Sequence, residues 1–231
     1  MSRQAILDSI RRGLRRGPLP VDQATMLRGR LAAHPRQLIP ARSRLPRQEQ
    51  IALFLRNLEK EFATFERVAD EAAVPGAVAD YLARHNLPGR FAIAPLLAGL
   101  PWAERPMLQP EARRADPSDL VCLTQGFAGV AETGTLMLPS DPGRPTTLNL
   151  LPDTAMVLLR ASDIVGAYEE AWDRLRAAGP PGAWMPRNVM LVTGPSRSAD
   201  IEQTLELGAH GPRRLHVLLL EDEAAATAPA G

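Results

Sequence analysis

The chain is short of several things that would define a function class. Its 231 residues contain one cysteine, Cys122, which excludes an internal disulfide and a four-cysteine metal or iron–sulfur site. Lysine is equally scarce. Lys60 stands alone and belongs to no Gly-x-x-x-x-Gly-Lys-Ser/Thr phosphate loop. No Gly-x-Gly-x-x-Gly follows a strand-like run, so a dinucleotide fingerprint is missing and no bound cofactor is expected. Aromatic residues are 4% of the chain, which leaves the core to aliphatic side chains. There is no apolar run long enough to span a membrane, and the N-terminus lacks the apolar centre of a secretory signal. These absences predict a soluble, cytoplasmic protein.

What is present is unevenly distributed. Residues 1–50 hold eleven arginines against Asp8, Asp22 and Glu49, a balance of +8, while the remainder carries −7. Charge complementarity allows a basic arm lying on an acidic domain, or an arm that docks a partner. Nucleic acid is disfavoured because residues 1–50 have no aromatic side chain to stack on bases. In "RQAILDSIRRGLRR", Ile6, Ile10 and Leu14 recur at helical spacing, and Gly17-Pro18 stops the helix. The Pro- and Arg-rich stretch from 18 to 46 reads as an extended linker. The expected organisation is a basic arm and linker over 1–46, a folded domain over 47–223, and a tail over 224–231.

From Gln48 onward, short apolar runs alternate with helical patterns. "EQIALFLRNLEKEFATF" puts Ile51, Leu55, Leu58 and Phe62 on one helical face. "PGAVADYLARHN" reads as a second helix, and "ASDIVGAYEEAWDRLRAA" as a third, capped by Ser162 or Asp163. "RFAIAP", "DLVCLT", "VAETGTLML", "AMVLLR", "RNVMLVTG" and "RLHVLLLE" read as strands. This alternation predicts an α/β fold with a largely parallel sheet flanked by helices.

Two segments carry candidate chemistry. In "VTGPSRSADIEQTLELGAHGP", Gly194 and Pro195 break a buried strand. Ser198 is placed to cap a helix starting near Ala199, and Gly208 to end it. A strand, a polar loop and a helix N-terminus together suit an anion, with Arg197 offering a bidentate grip. Asp200 and Glu202 would already complement the helix dipole, by about 0.3–1 kcal/mol each, and would repel an anion. Ser196 with Asp200 and His210 has the residue types of a nucleophilic triad. Ser198, however, replaces the second glycine of a nucleophile elbow, and Asp200 lies one helical turn from Ser196. A tight turn alone would account for Gly194, Pro195 and Ser198. His210 would lie at the edge of a cleft or serve only in a turn. Its six-residue spacing from His216, with no carboxylate at metal spacing, argues against a metal site. The second segment is "VAETGTLML". Glu132 among apolar neighbours is either satisfied by groups such as Thr133 and Thr135, or held for acid–base or nucleophilic work.

Together "GVAETGTLML", "LNLLPDTAMVLL" and "VTGPSRSADIEQTLELGAHGPRRLHVLLLED" resemble the signature of the lactate utilisation protein C family, the LUD domain; "RFAIAPLLAGLPW" and "RQAILDSIRRGL" resemble it too. The resemblance covers most of the chain and is weakest over 17–46. It implies a fold like that of ribose-phosphate isomerase, glucosamine-phosphate isomerase and coenzyme A transferases. It also implies a role in oxidising L-lactate to pyruvate beside two iron–sulfur partner proteins. The motif positions fall on Glu132, Thr133, Gly134 and Thr135, on Gly194, Pro195, Ser196, Arg197, Asp200, Ile201 and Glu202, and on Gly208, His210, Gly211 and Pro212. Ser198 stands where the motif often has Thr and keeps the hydroxyl. By fold analogy, Arg197 would hold a small carboxylate or acyl thioester, with Glu132 as nucleophile or base.

Overall fold

A computed structural model describes residues 2–179, 185–199 and 205–222. The chain divides into two compact units, the first ending at Leu38 and the second starting at Ile39. The first unit contains helix α1, Arg3–Gly13, and helix α2, Val21–Ala33. Ser2 caps α1 by accepting from the Ala5 N–H, and Arg11 and Arg12 lie in its last turn, where they complement the helix dipole. The stretch read as extended is thus helical from Val21. Its prolines lie at 18, 20, 35, 40 and 46, outside the helix, while the interior is rich in Ala, Leu, Met, Gln and Arg, which favour helix.

The second unit is built on a six-stranded sheet. Its strands are β1 (Thr64–Val68), β2 (Arg90–Ile93), β3 (Gln109–Ala112), β4 (Val121–Gln125), β7 (Thr154–Arg160) and β12 (Arg214–Leu220). They lie in the order β1-β12-β7-β4-β2-β3, with every pairing parallel. A smaller sheet runs β8 (Ile164–Val165), β5 (Ala128–Val130), β6 (Thr135–Pro139), β9 (Val189–Val192). Helix α4, Val74–Arg84, covers one face of the large sheet, where Val78 and Tyr81 pack with Phe91, Leu123, Met156 and Leu218. Helix α3, Arg47–Lys60, and the small sheet cover the other face, where Ile51, Phe54 and Leu58 meet Leu136, Val157, Leu159 and Val217. Neighbours in sequence such as Met156 and Val157 therefore point into different cores. This is why the central strands read as unbroken apolar runs. Helix α5, Tyr168–Ala177, packs Ala171 and Leu175 on the outer face of the small sheet.

Several elements differ from the sequence reading. "VAETGTLML" is not one strand but a hairpin, β5 and β6, with residues 131–134 in the turn. Helix α3 ends at Lys60, and Phe62 leaves it with φ of 66° and 63% exposure instead of lying on its buried face. The third helix starts at Tyr168, because residues 161–165 form a 3₁₀ turn and then β8. Ser162 and Asp163 consequently do not cap it. Glu170 reaches back to the Gly166 and Ala167 N–H groups, and Asp163 pairs with Arg174.

Candidate functional site

The "ETGT" segment is held from both sides of its turn. The Asn57 side chain of α3 donates to the Ala131 carbonyl at 2.8 Å, and the Glu132 N–H donates to the Gly166 carbonyl at 3.1 Å. Gly134 has φ of 68° and lies directly against the α3 backbone. Behind it, four hydroxyls cluster. Thr135, fully buried, lies 2.7 Å from the Thr133 hydroxyl, 2.8 Å from that of Tyr168 and 2.6 Å from that of Thr193, and Thr133 donates to Tyr168 at 3.1 Å. Four protons suffice for these four contacts, so the cluster is satisfied internally. Thr133 and Thr135 therefore satisfy each other and not Glu132. The Glu132 carboxylate is half-buried and has no hydrogen-bonding or ionic partner among the described residues.

The second segment leaves β9 at Thr193. Gly194 has φ of 76° and packs against the Glu61 carbonyl, just beyond the end of α3. No helix begins at Ala199: Arg197–Ala199 form β10, which pairs antiparallel with β11, Leu205–Leu207. Ser198 is in a strand and Gly208 follows one, so their expected roles as helix caps do not hold. Non-local bonds decide this. The Ser196 N–H donates to the Pro212 carbonyl at 2.8 Å, its carbonyl accepts from Gly208 at 3.0 Å, and its hydroxyl accepts from the His210 N–H at 3.1 Å. Ser196 is thereby committed to joining residues 196 and 208–212, which argues against a free nucleophile. Asp200, Ile201 and Glu202 lie outside the described residues. Gly211 and Pro212 complete the loop that Ser196 holds.

These parts surround a cavity of about 300 Å³. It lies between β9 and the amino ends of β7 and β12, with Leu138, Val157, Met190 and Leu215 supplying apolar wall. Ligands of open parallel sheets more commonly bind at the carboxyl ends of the strands. Gly194, Ser196, Arg197, Ser198 and His210 line the cavity; Glu132, Thr133, Gly134 and Thr135 do not. The two segments meet where Leu136 of β6 pairs with Val192 of β9 and where the Thr135 hydroxyl contacts that of Thr193, which does line the cavity. The described lining residues include no carboxylate. Arg197 carries the charge, with its guanidinium carbon 3.5 Å from the centre of the Phe62 ring. Such stacking fixes the guanidinium plane and leaves its N–H edge able to donate. No carboxylate among the described residues forms an ion pair with it. No group of three His, Cys, Asp or Glu among the described residues could hold a metal.

Three residues of this region, Asn149, Tyr168 and Thr193, are not marked as site residues by the sequence, and Phe62 reads there only as part of a buried helical face. Asn149 lines the cavity, is 7% exposed, and its Oδ1 is buried without a hydrogen-bond partner among the described residues. An unpaired buried polar group of this kind costs about 1–3 kcal/mol. A faint signal was its place in "LNLLPDTAMVLL", where an asparagine beside Pro152 and Asp153 otherwise reads as a turn residue.

Residues 51–220 match the family model for the LUD domain. An uncharacterized protein of Neisseria meningitidis is 44% identical over 94 residues, covering 40% of this chain and 38% of that one. Lactate utilization protein C of Macrococcus caseolyticus is 35% identical over 103 residues, 45% of each chain. Lactate utilization protein C of Bacillus subtilis is 37% identical over 93 residues, 40% and 39% of the two. The alignments thus span less than half the length of these curated relatives. A crystal structure of a DUF162 family protein from Deinococcus radiodurans superposes with a TM-score of 0.57 at 26% identity, covering 76% of this chain and 99% of that one. With its domain matched from Ile51 to Leu220, the chain belongs to the LUD-domain family.

Proposed function

We propose that this protein is a non-redox subunit of an L-lactate utilisation system, working beside iron–sulfur partner proteins that carry the electrons from lactate to an acceptor. The observation that carries this is the LUD-domain match over residues 51–220, together with the similarity to relatives named lactate utilization protein C. Cysteine chemistry supports the division of labour. Oxidising lactate to pyruvate releases two electrons and two protons, and the 231 residues supply a single cysteine. Cys122 is fully buried in β4, and burial pushes its thiol up to about 12. It is neither a ready thiolate ligand nor a nucleophile. Native protein at pH 8 is therefore expected to leave Cys122 unlabelled by a thiol reagent, whereas unfolding in denaturant should give full labelling, read by mass spectrometry. Rapid labelling of the native protein would contradict the buried thiol.

The role itself is tested by deletion. Cells lacking this protein should lose growth on L-lactate and lactate oxidation in extracts, and regain both when the full chain is restored. Undiminished growth and oxidation in the deletion strain would remove the proposal.

A second reading has its own support. The cavity beside Arg197 suits a small carboxylate or the acyl part of a thioester. Glu132 does not line that cavity, so this reading gives the site a binding role and leaves Glu132 without a place in its chemistry.

A further inference from the structure

We propose that the cavity beside β9 binds a small amphipathic carboxylate that also carries a hydroxyl or N–H donor, and that this donor is received by Asn149. This rests on the second reading above, that Arg197 marks a carboxylate site, and adds a requirement that the reading does not contain.

Three independent features specify the ligand. The first is charge. Among the described lining residues Arg197 is the charged one and none is a carboxylate, and its guanidinium lies over the Phe62 ring. A planar fork held in this way favours a carboxylate over a point anion. The second is the wall. Leu138, Val157, Met190 and Leu215 present an apolar surface, and about 300 Å³ is the low end of small-molecule pockets. A short hydrocarbon body fits this better than a nucleotide. The third is Asn149. Its Oδ1 is an acceptor with no donor among the described residues, in a residue that lines the cavity. Buried acceptors are almost always paired, and the missing partner here is a donor. The neighbouring hydroxyls do not supply it. Thr193 is engaged with Thr135, and the Ser196 hydroxyl, which accepts from the His210 N–H, makes no bond to Asn149.

The position of the donor along the ligand is left to experiment, so the probes are a matched set of six-carbon compounds: hexanoate, 2-hydroxyhexanoate, 6-hydroxyhexanoate and 1-hexanol. Each is titrated into the full chain by calorimetry. At least one hydroxylated acid is expected to bind roughly tenfold more tightly than hexanoate, as one buried hydrogen bond made instead of left open would give. All three acids should exceed hexanol. In Asn149→Leu, which removes the acceptor at similar volume, the hydroxyl preference should vanish while hexanoate still binds. Equal affinity for the three acids overturns the inference and leaves the carboxylate reading standing. A hydroxyl preference that survives Asn149→Leu also overturns it. Hexanol binding as well as hexanoate, or no binding by any probe at millimolar concentration, removes the carboxylate reading and the inference with it.

Discussion

Gly134→Ala is expected to lower the unfolding free energy by about 4 kcal/mol, the sum of a left-handed backbone penalty and a clash with a packed helix. At φ of 68° an alanine is held where L-residues are disfavoured, a term of about 1–2 kcal/mol. Its Cβ would lie 2.6 Å from the Leu58 nitrogen and 2.7 Å from the Asn57 carbonyl carbon. Those are backbone atoms in the last turns of α3, so no side chain can swing aside. Relief requires moving the β5–β6 turn off the helix, which would break the Asn57 bond to the Ala131 carbonyl and disturb the hydroxyl cluster behind it. Gly99, with open space around its Cβ direction and no positive φ, is the matched control, and Gly99→Ala should change stability by no more than about 0.5 kcal/mol. Urea denaturation of both variants decides the matter. Similar midpoints for the two would mean that the turn does not lie on α3 as described.

Stability should also fall by about 3 kcal/mol as pH drops from 6.5 to 4 because of one side chain, His216. It is 2% exposed in β12, its ring stacked on Tyr81 with centroids 4.1 Å apart, and Nδ1 is 2.8 Å from the Thr64 hydroxyl. Nε2 is buried with no partner among the described residues. Burial, then the nearby charges of Arg84 and His85, push the imidazole down to about 4. Protonation would create a buried cation with an N–H that nothing accepts. The folded state therefore resists a proton that the unfolded chain takes up near pH 6.5. The contribution is complete above pH 6.5, declines as the pH falls, and is lost near pH 4. Other groups titrate in the same window, so the comparison is between the wild type and His216→Gln. The variant's urea midpoint should decline less steeply between pH 6.5 and 4. Parallel pH profiles for the two proteins would exclude His216 as the source.

The fold was legible where burial leaves a local trace. The unbroken apolar runs of β4, β7 and β12 arise because both faces of those strands are covered, and a reader of sequence sees that directly. Strand β1 was missed because "TFERV" is an edge strand with mixed exposure, and it follows a helical pattern without a clear stop. Strand β3 was missed because "QPEA" contains a proline, tolerated here at the sheet edge. Phe62 was misplaced for a related reason. Its spacing from Leu58 continues the apolar stripe of α3, and nothing local shows that the helix stops at Lys60 or that an arginine 135 residues later will lie on the ring. The stretch after Ser198 has helix-forming composition, yet its described ends pair as strands because Ser196 is tied to Gly208, His210 and Pro212.

By itself, the sequence determined the alternation of buried strands and helices, the glycine-bearing turns, and a pattern of residues that the LUD family shares. These are properties of short segments: hydrophobic period, residues suited to turns, and single side-chain chemistry. Only the tertiary structure decided which segments meet. Strand order places β12 between β1 and β7, so that His216 reaches Thr64, while Gly134 and Gly194 both close on the end of α3. It also decided that Asn149, and not Glu132, lines the cavity with Arg197. Contacts between residues so far apart in the chain depend on how the sheets stack and in what order their strands pair, which no local stretch encodes.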